Sequence, residues 1–379
     1  MNSIFDDIRP YYDYELHDAL ERIVENPLFA VVASYVYPDM ELSAVRELVL
    51  ASKTISEFQH NIMYSVNRRI IANTITDLSF GGTENINRAC AHIYISNHRD
   101  IMLDASLMQN IIMDMGLPST QITFGANLMK SEIVTDIGKS NKMFRVERPG
   151  GNLREFYKAL THLSHYIRHT VVEQGESIWI AQRNGRTKDG RDRTDQGIIS
   201  MFRLYGPEEK VESICELNFL PVTVSYEWEP CDLLKAQEIY ATRRGPYTKS
   251  SNEDLQSIIT GITQHKGGVH FEFGKPLSRE ELLPYAELSN NEFNKRVASI
   301  IDCRICGNYH LFPNNYIAHD LLNNSNEYSQ HYTAEEKSRF IEHIEHSVTL
   351  APHCDANEIR EILLGIYAYA VDSKKAFSL

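Results

Sequence analysis

Short β-rich runs alternate with helical stretches between residues 88 and 275, and this alternation restricts the folds open to the chain. Between the runs, residues 101–115 and 152–174 have apolar side chains at helical spacing. Strands that alternate with helices predict an α/β fold with a central mixed sheet flanked by helices, and we expect the last run to close the sheet. The runs lie at 92–96, 120–125, 143–147, 177–182, 219–226 and 267–274.

The segments on either side of this alternation have helical patterns. We therefore expect an N-terminal helical region over residues 1–79, an α/β domain over 80–275 and a C-terminal helical region over 276–379. Two capping boxes predict helix starts in the last region, at Thr333 with Glu336 and at Asp355 with Glu358.

The composition is that of a soluble globular protein, with 42% hydrophobic and 23% charged residues in 379. The longest apolar run, Leu28 to Tyr37, has the length of a buried helix and is too short to span a bilayer. The first residues lack a basic stretch followed by an apolar one, so we expect a cytoplasmic protein, with peripheral contact to the inner face of the membrane left open.

The net charge of −13 argues against broad nucleic-acid binding, and any phosphate-bearing ligand then needs a local basic patch. One candidate patch contains Arg183, Arg186, Lys188, Arg191 and Arg193. Three interspersed aspartates partly cancel its charge, so a solvated loop is an equally good interpretation.

One β-rich run ends abruptly at Asn97-His98-Arg99, and a helical pattern that contains Asp104 follows. A nearby carboxylate fixes the tautomer of an imidazole and stabilises the imidazolium that forms when the ring takes a proton. The segment therefore contains the parts of a general base, although a loop histidine beside a helix-capping aspartate would have the same local sequence. Asp100, at a position typical of a helix N-cap, is the rival partner for His98.

Three further blocks follow in order: Met143 to Arg148, Ile178 to Thr187, and Phe219 to Val224. Together with Asn97-His98-Arg99 they resemble the four ordered blocks of the glycerol-phosphate and lysophospholipid acyltransferase family. The resemblance covers about residues 80–226. It implies the α/β fold of glycerol-3-phosphate acyltransferases and an enzyme that moves a fatty acyl group from a thioester to an acceptor.

The chain departs from the family pattern at two points. Five residues rather than four separate His98 from Asp104, so the turn or the first helical turn must absorb the extra one, and Asp100 remains the alternative partner. Asn184 stands where the family has a glutamate that helps to hold the acceptor, which leaves the identity of the acceptor open.

The resemblance also implies roles for individual residues. His98 would act as the general base and Asp104 would orient it, while the helix start after the turn would offer free backbone N–H groups to a developing oxyanion. Arg148 matches the family arginine that holds the anionic head of the acceptor, and the role of Arg145 is left undecided. The predicted substrate-binding residues are Asn97, Arg99, Arg145, Arg148, Asn184, Gly185 and Arg186.

No metal and no cofactor are expected beyond the acyl donor, which is acyl-CoA or acyl carrier protein. Cys303 and Cys306 have zinc-like spacing, but no second close pair completes a ligand set, and one helical face presents the same spacing. The expected acceptor is a lysophospholipid or a glycerol phosphate. Two alternatives stay open: an N-acyltransferase that acts on an aminolipid headgroup, and a catalytically silent relative that binds lipid.

Overall fold

The computed structural model describes residues 3–129, 131–147, 152–250 and 252–377. Within these residues, a seven-stranded mixed sheet lies at the centre, in the order β1-β7-β6-β2-β5-β3-β4. Neighbouring strands are parallel except β6 and β7. The strands are β1 (Ile75–Gly81), β2 (Ile93–Ser96), β3 (Gln121–Gly125), β4 (Met143–Val146), β5 (Ile178–Ala181), β6 (Phe219–Tyr226) and β7 (Gly267–Phe273).

The N-terminal helices pack around their own apolar cluster, to which Leu16, Leu20, Val45 and Phe58 contribute. A π-helical turn at Gln59–Met63 connects the last two of them. The helices are α1 (Asp13–Glu25), α2 (Phe29–Val36), α3 (Leu42–Leu50), α4 (Ile55–Phe58) and α5 (Tyr64–Thr74).

Helices cover both faces of the sheet. Ile93 and Ile95 of β2 pack into the core on one face, and Tyr94 packs into the core on the other. A strand that is buried on both faces reads as a continuous apolar run, which is why these strands were visible in the sequence. The helices are α6 (Leu103–Asp114), α7 (Glu132–Ser140), α8 (Leu153–Arg168), α9 (Gln196–Phe202), α10 (Lys210–Cys215), α11 (Asp232–Thr242) and α12 (Glu253–Thr263).

The C-terminal region is helical. Thr333 Oγ1 accepts a hydrogen bond from the Glu336 N–H and completes the predicted capping box. At the other predicted start, Asp355 caps the helix, but the Glu358 carboxylate binds Arg244 instead of the Asp355 backbone N–H, so the capping box is incomplete. The helices are α13 (Arg279–Leu282), α14 (Asn290–Gly307), α15 (Pro313–Leu322), α16 (Ala334–Thr349) and α17 (Ala356–Phe377).

The predicted fold class is confirmed: a mixed α/β sheet is flanked by helices, with added helical regions at both ends. Two details of the prediction were wrong. Residues 75–79, which we assigned to the N-terminal helical region, belong to edge strand β1, because β7 supplies a parallel partner whose sequence lies almost 200 residues away. The 267–274 run does not close the sheet, since β7 lies between β1 and β6.

The apolar run from Leu28 to Tyr37 differs from the expected buried helix. It forms α2, which buries Phe29, Ala33 and Val36 and leaves its opposite side exposed. In the described part of the chain, no helix combines the length and the apolar composition needed to cross a bilayer.

Candidate active site

The Asn97-His98-Arg99 turn begins where β2 ends, and backbone contacts hold it in place. The Asn97 side chain accepts a hydrogen bond from the Val224 N–H at 2.8 Å and donates one to the Val224 carbonyl at 3.0 Å. The Thr187 N–H donates to the His98 carbonyl at 2.7 Å. Asn97 is fully buried and does not line the neighbouring cavity, so it shapes the turn rather than contacting a ligand.

His98 pairs with Asp104. The His98 Nδ1 atom lies 2.9 Å from Asp104 Oδ2, on the first turn of α6. The same oxygen accepts the backbone N–H groups of Arg99 and Asp100, and Tyr226 donates its hydroxyl to Oδ1 at 2.8 Å. These bonds hold a fully buried carboxylate in one orientation. Among the described residues, His98 Nε2 has no hydrogen-bond partner.

Asp100 has a different role from Asp104. Its Oδ1 atom accepts the N–H groups of Met102 and Leu103, as an N-cap does. Burial, followed by the charge of Asp104, raises the pKa of the Asp100 carboxyl above its ordinary value. The capped turn absorbs the extra residue between His98 and Asp104.

Four backbone N–H groups at the helix start already have acceptors and are not free for an oxyanion. The N–H groups of Arg99 and Asp100 are bound to Asp104, and those of Met102 and Leu103 are bound to Asp100. A role of this helix start in binding an oxyanion stays a prediction.

A cavity of about 870 Å³ opens beside His98, where β2, β3, β4 and β5 end. Sheets of this kind usually bind ligands at the carboxyl ends of their strands. One part of the cavity wall is apolar, with Phe124, Leu128, Phe156, Leu160, Trp179 and Met201. The other part is charged, with the cations Arg183, Arg186, Lys188, Arg243 and Lys249 and the carboxylates Glu147, Asp189, Asp195 and Asp254.

Three predicted substrate-binding residues, Asn184, Gly185 and Arg186, line this cavity with His98. Gly185 adopts a φ of 74°, a left-handed conformation that favours glycine in the turn. Arg186 is largely buried and donates through Nη2 to the Ser257 hydroxyl at 3.1 Å. Its Nη1 atom is buried without a hydrogen-bond partner among the described residues. Arg186 thus retains donor capacity inside the cavity.

Arg99 does not line the cavity, and a role for it in binding substrate stays a prediction. Its guanidinium lies in a buried ion cluster, 2.7 Å from Asp192 and 3.3 Å from Glu229. Although burial alone would raise the pKa of the Asp192 carboxyl, Arg99 holds it below its ordinary value. The Lys235 ammonium donates to the other Glu229 oxygen and to the Arg99 carbonyl.

The two arginines of the second block have different outcomes. Arg145 is half exposed, forms an ion pair with Glu147 at 2.6 Å, and does not line the cavity. Arg148, the preferred family match, lies outside the described residues.

A family match over the segment that contains His98 indicates the class of this protein. Residues 77–209 match the family model described as Acyltransferase. This part of the chain is an acyltransferase domain. The match covers about a third of the chain and contains β2, β5 and the 182–195 loop. It agrees with the resemblance to glycerol-phosphate and lysophospholipid acyltransferases. A search of curated proteins found no match.

Several residues of the acyltransferase site were missed in the sequence, and they lie outside the matched segment. Tyr226 holds Asp104, and burial together with that carboxylate raises the pKa of the Tyr226 hydroxyl well above its ordinary value, so it stays a donor. Ser257 binds Arg186, while Arg243 and Lys249 add cations to the cavity. Only Tyr226 had a local signal, since it ends the strand of the fourth block.

Cys303 and Cys306 are both in α14, and Cys306 is buried. Across the described ranges, no group of three or more histidine, cysteine or carboxylate side chains is arranged to hold a metal.

Proposed function

We propose that the enzyme transfers a fatty acyl group from acyl-CoA or acyl carrier protein to a hydroxyl of a lysophospholipid or glycerol-phosphate acceptor. The observation that carries this proposal is the 2.9 Å pair of His98 and Asp104 at the wall of a cavity that is apolar on one side and has five cations and four carboxylates on the other. The donor and a lysophospholipid acceptor each have an alkyl chain and a phosphate, whereas a glycerol-phosphate acceptor has the phosphate alone. The cavity matches both features.

In the proposed reaction, His98 Nε2 takes the proton of the acceptor hydroxyl as its oxygen attacks the thioester carbonyl carbon. Asp104 remains ionised and stabilises the imidazolium. The tetrahedral intermediate collapses, the carbon–sulfur bond breaks, and the leaving thiolate receives the proton from His98. The products are an ester and a free thiol, and the reaction as written needs no cofactor besides the donor.

The cationic side chains of the cavity wall would bind the phosphate of the acceptor. Arg186 is the best placed of the predicted residues because its Nη1 atom is buried and unpartnered among the residues described. A guanidinium presents paired donors that match phosphate oxygens. By the family resemblance, Arg148 would act with it. Asn184 and Gly185 would shape the wall beside the headgroup.

The decisive experiment replaces His98 with alanine. His98→Ala should lower acyl transfer by about a hundredfold or more, because general-base catalysis is lost. His162→Ala is the matched control, since that histidine pairs with Asp7 at the protein surface. Products are measured by mass spectrometry with mixed donors and lipid-extract acceptors, and thermal unfolding checks the fold. Turnover of folded His98→Ala close to that of the wild type would refute the assignment.

An amine acceptor is the second candidate. Of the four carboxylates that line the cavity, Glu147, Asp189 and Asp195 would favour an ammonium headgroup, whereas Asp254 pairs with Lys249. The same product screen separates the two reactions, because mild alkali cleaves an ester and leaves an amide intact. An alkali-stable product would identify an N-acyltransferase.

A further inference from the structure

The turn that contains His98 is held by one buried carboxylate oxygen. Asp192 Oδ2 accepts a hydrogen bond from the Asn97 side-chain amide at 3.0 Å. The same oxygen accepts the Arg99 guanidinium, through Nε at 3.1 Å and through Nη2 at 2.7 Å. Asn97 and Arg99 are the two sequence neighbours of His98. A single oxygen atom therefore fixes the residues on both sides of the histidine.

The Tyr309 hydroxyl is a further partner of this oxygen. It donates to Asp192 Oδ2 at 2.5 Å and accepts a hydrogen bond from Arg99 Nη2 at 3.4 Å. Tyr309 is buried, and it lies outside the segment 77–209 that matches the acyltransferase family model. Burial, followed by the charge of Asp192, raises the pKa of the Tyr309 hydroxyl well above its ordinary value, so the hydroxyl stays protonated and remains a donor.

The backbone around Tyr309 is anchored to two elements. The His310 N–H donates to the Ser225 hydroxyl at 3.1 Å, on strand β6, which also binds the Asn97 side chain. The Lys374 ammonium, on α17, donates to the Tyr309 carbonyl at 2.6 Å. These two bonds hold the Tyr309 hydroxyl in one place relative to the His98 turn.

Asn97, Asp192 and Tyr309 are absent from the described wall of the cavity that His98 lines. An effect of these residues on acyl transfer must therefore pass through the position of the turn. In the proposed reaction, His98 Nδ1 stays bound to Asp104 while Nε2 meets the acceptor hydroxyl. A small displacement of the turn misaligns these two contacts, and misalignment of a catalytic group lowers the rate steeply.

We propose that Tyr309 is a positioning residue for acyl transfer, which fixes the Asn97-His98-Arg99 turn through Asp192 and thereby orients His98. The inference rests on the proposed function, in which His98 is the general base. A buried carboxylate that loses one hydrogen bond turns toward its remaining donors, because an unsatisfied buried acceptor is costly. Here the remaining donors are the two residues beside His98, so the loss moves the turn.

Tyr309→Phe tests the proposal, because it removes the hydroxyl and keeps the ring. We expect kcat to fall by about threefold to tenfold while KM stays unchanged for donor and acceptor. Tyr332→Phe is the matched control, since the Tyr332 hydroxyl donates at 2.8 Å to Asp320, another buried carboxylate of the C-terminal region. This control should keep the kcat of the wild type, and thermal unfolding checks that both variants fold.

Two kinetic results would overturn the proposal. One is a kcat of folded Tyr309→Phe equal to that of Tyr332→Phe, which would make the hydroxyl merely structural. The other is a rise in KM at unchanged kcat, which would place its effect on binding instead of on His98.

Nuclear magnetic resonance gives a measurement that does not depend on turnover. The ring nitrogen shifts of His98, assigned on isotopically labelled protein by comparison with His98→Ala, report how the proton is divided between Nδ1 and Nε2. The wild type and Tyr332→Phe should hold the proton on Nδ1, toward Asp104, and Tyr309→Phe should show a mixture. Unchanged shifts in Tyr309→Phe, or a wild type without a preferred tautomer, would refute the positioning role. If the wild type transfers no acyl group, the proposed function fails, and the shifts alone decide whether Tyr309 orients His98.

Discussion

At the residue scale, two aspartates that lie four positions apart near His98 have different environments. Asp104 accepts hydrogen bonds from His98, two backbone N–H groups and Tyr226. Asp100 accepts only the helix-start N–H groups through one oxygen, and its other oxygen has no hydrogen-bond partner among the described residues. Since burial raises the pKa of Asp100, its ionised form is disfavoured there, and a neutral side chain should be tolerated.

This difference predicts the outcome of two matched substitutions. Asp104→Asn should lower kcat by about a hundredfold, because an amide neither fixes the required tautomer of His98 nor stabilises the imidazolium. Asp100→Asn should stay within about threefold of the wild type, since asparagine is also a good N-cap. Steady-state kinetics on both variants give the comparison. A larger loss in Asp100→Asn would show that Asp100 is the partner of His98 during catalysis.

At the scale of elements, α12 connects the matched acyltransferase segment to the remainder of the chain. Its Ser257 hydroxyl is the hydrogen-bond partner of Arg186, and α12 approaches Asp100 closely because residue 261 is glycine. The strands that position the site were visible in the sequence, since each is a short apolar run. Strand β1 was not visible in the sequence, because it is a partly polar edge strand that forms only by pairing with β7, which is distant in the chain.

We predict that Ser257→Ala raises KM for a phosphate-bearing acceptor by about threefold to tenfold and leaves kcat nearly unchanged. The reason is that Arg186 loses the bond that orients it without losing its charge. Thr263→Ala on the same helix removes a hydroxyl that bonds only to the helix backbone and serves as control. A threefold to tenfold fall in kcat with KM unchanged would show that Ser257 does not act through acceptor binding.

At the scale of the whole molecule, the buried ion cluster around Arg99 joins distant parts of the chain. Arg99 follows β2, Asp192 precedes α9, Glu229 precedes α11, and Tyr309 lies between α14 and α15. The cluster therefore connects the catalytic turn to the C-terminal helices. The division into regions at 79/80 and 275/276 stays a prediction, although β1 runs across the first boundary.

Arg99→Met should lower the free energy of unfolding by about 3–5 kcal/mol, because it leaves Asp192 buried without its cation and leaves Glu229 with Lys235 alone. Arg145→Met removes a half-exposed ion pair and should cost about 1 kcal/mol or less. Chemical denaturation of both variants measures the difference. If Arg99→Met instead raised KM for the acceptor at unchanged stability, the substrate-binding prediction for Arg99 would be supported.

The sequence by itself determined the α/β class, the positions of most strands, and the choice of His98 and Asp104 as a candidate pair. These features depend on local patterns. Buried strands are apolar runs, and His98 and Asp104 lie close together in the sequence, in the turn after β2 and at the start of α6. The tertiary structure alone decided that Arg99 is an internal cation, that α12 supports Arg186, and that α2 is half exposed. Each of these depends on side chains brought together from distant positions, and no local pattern records which neighbours a side chain will meet.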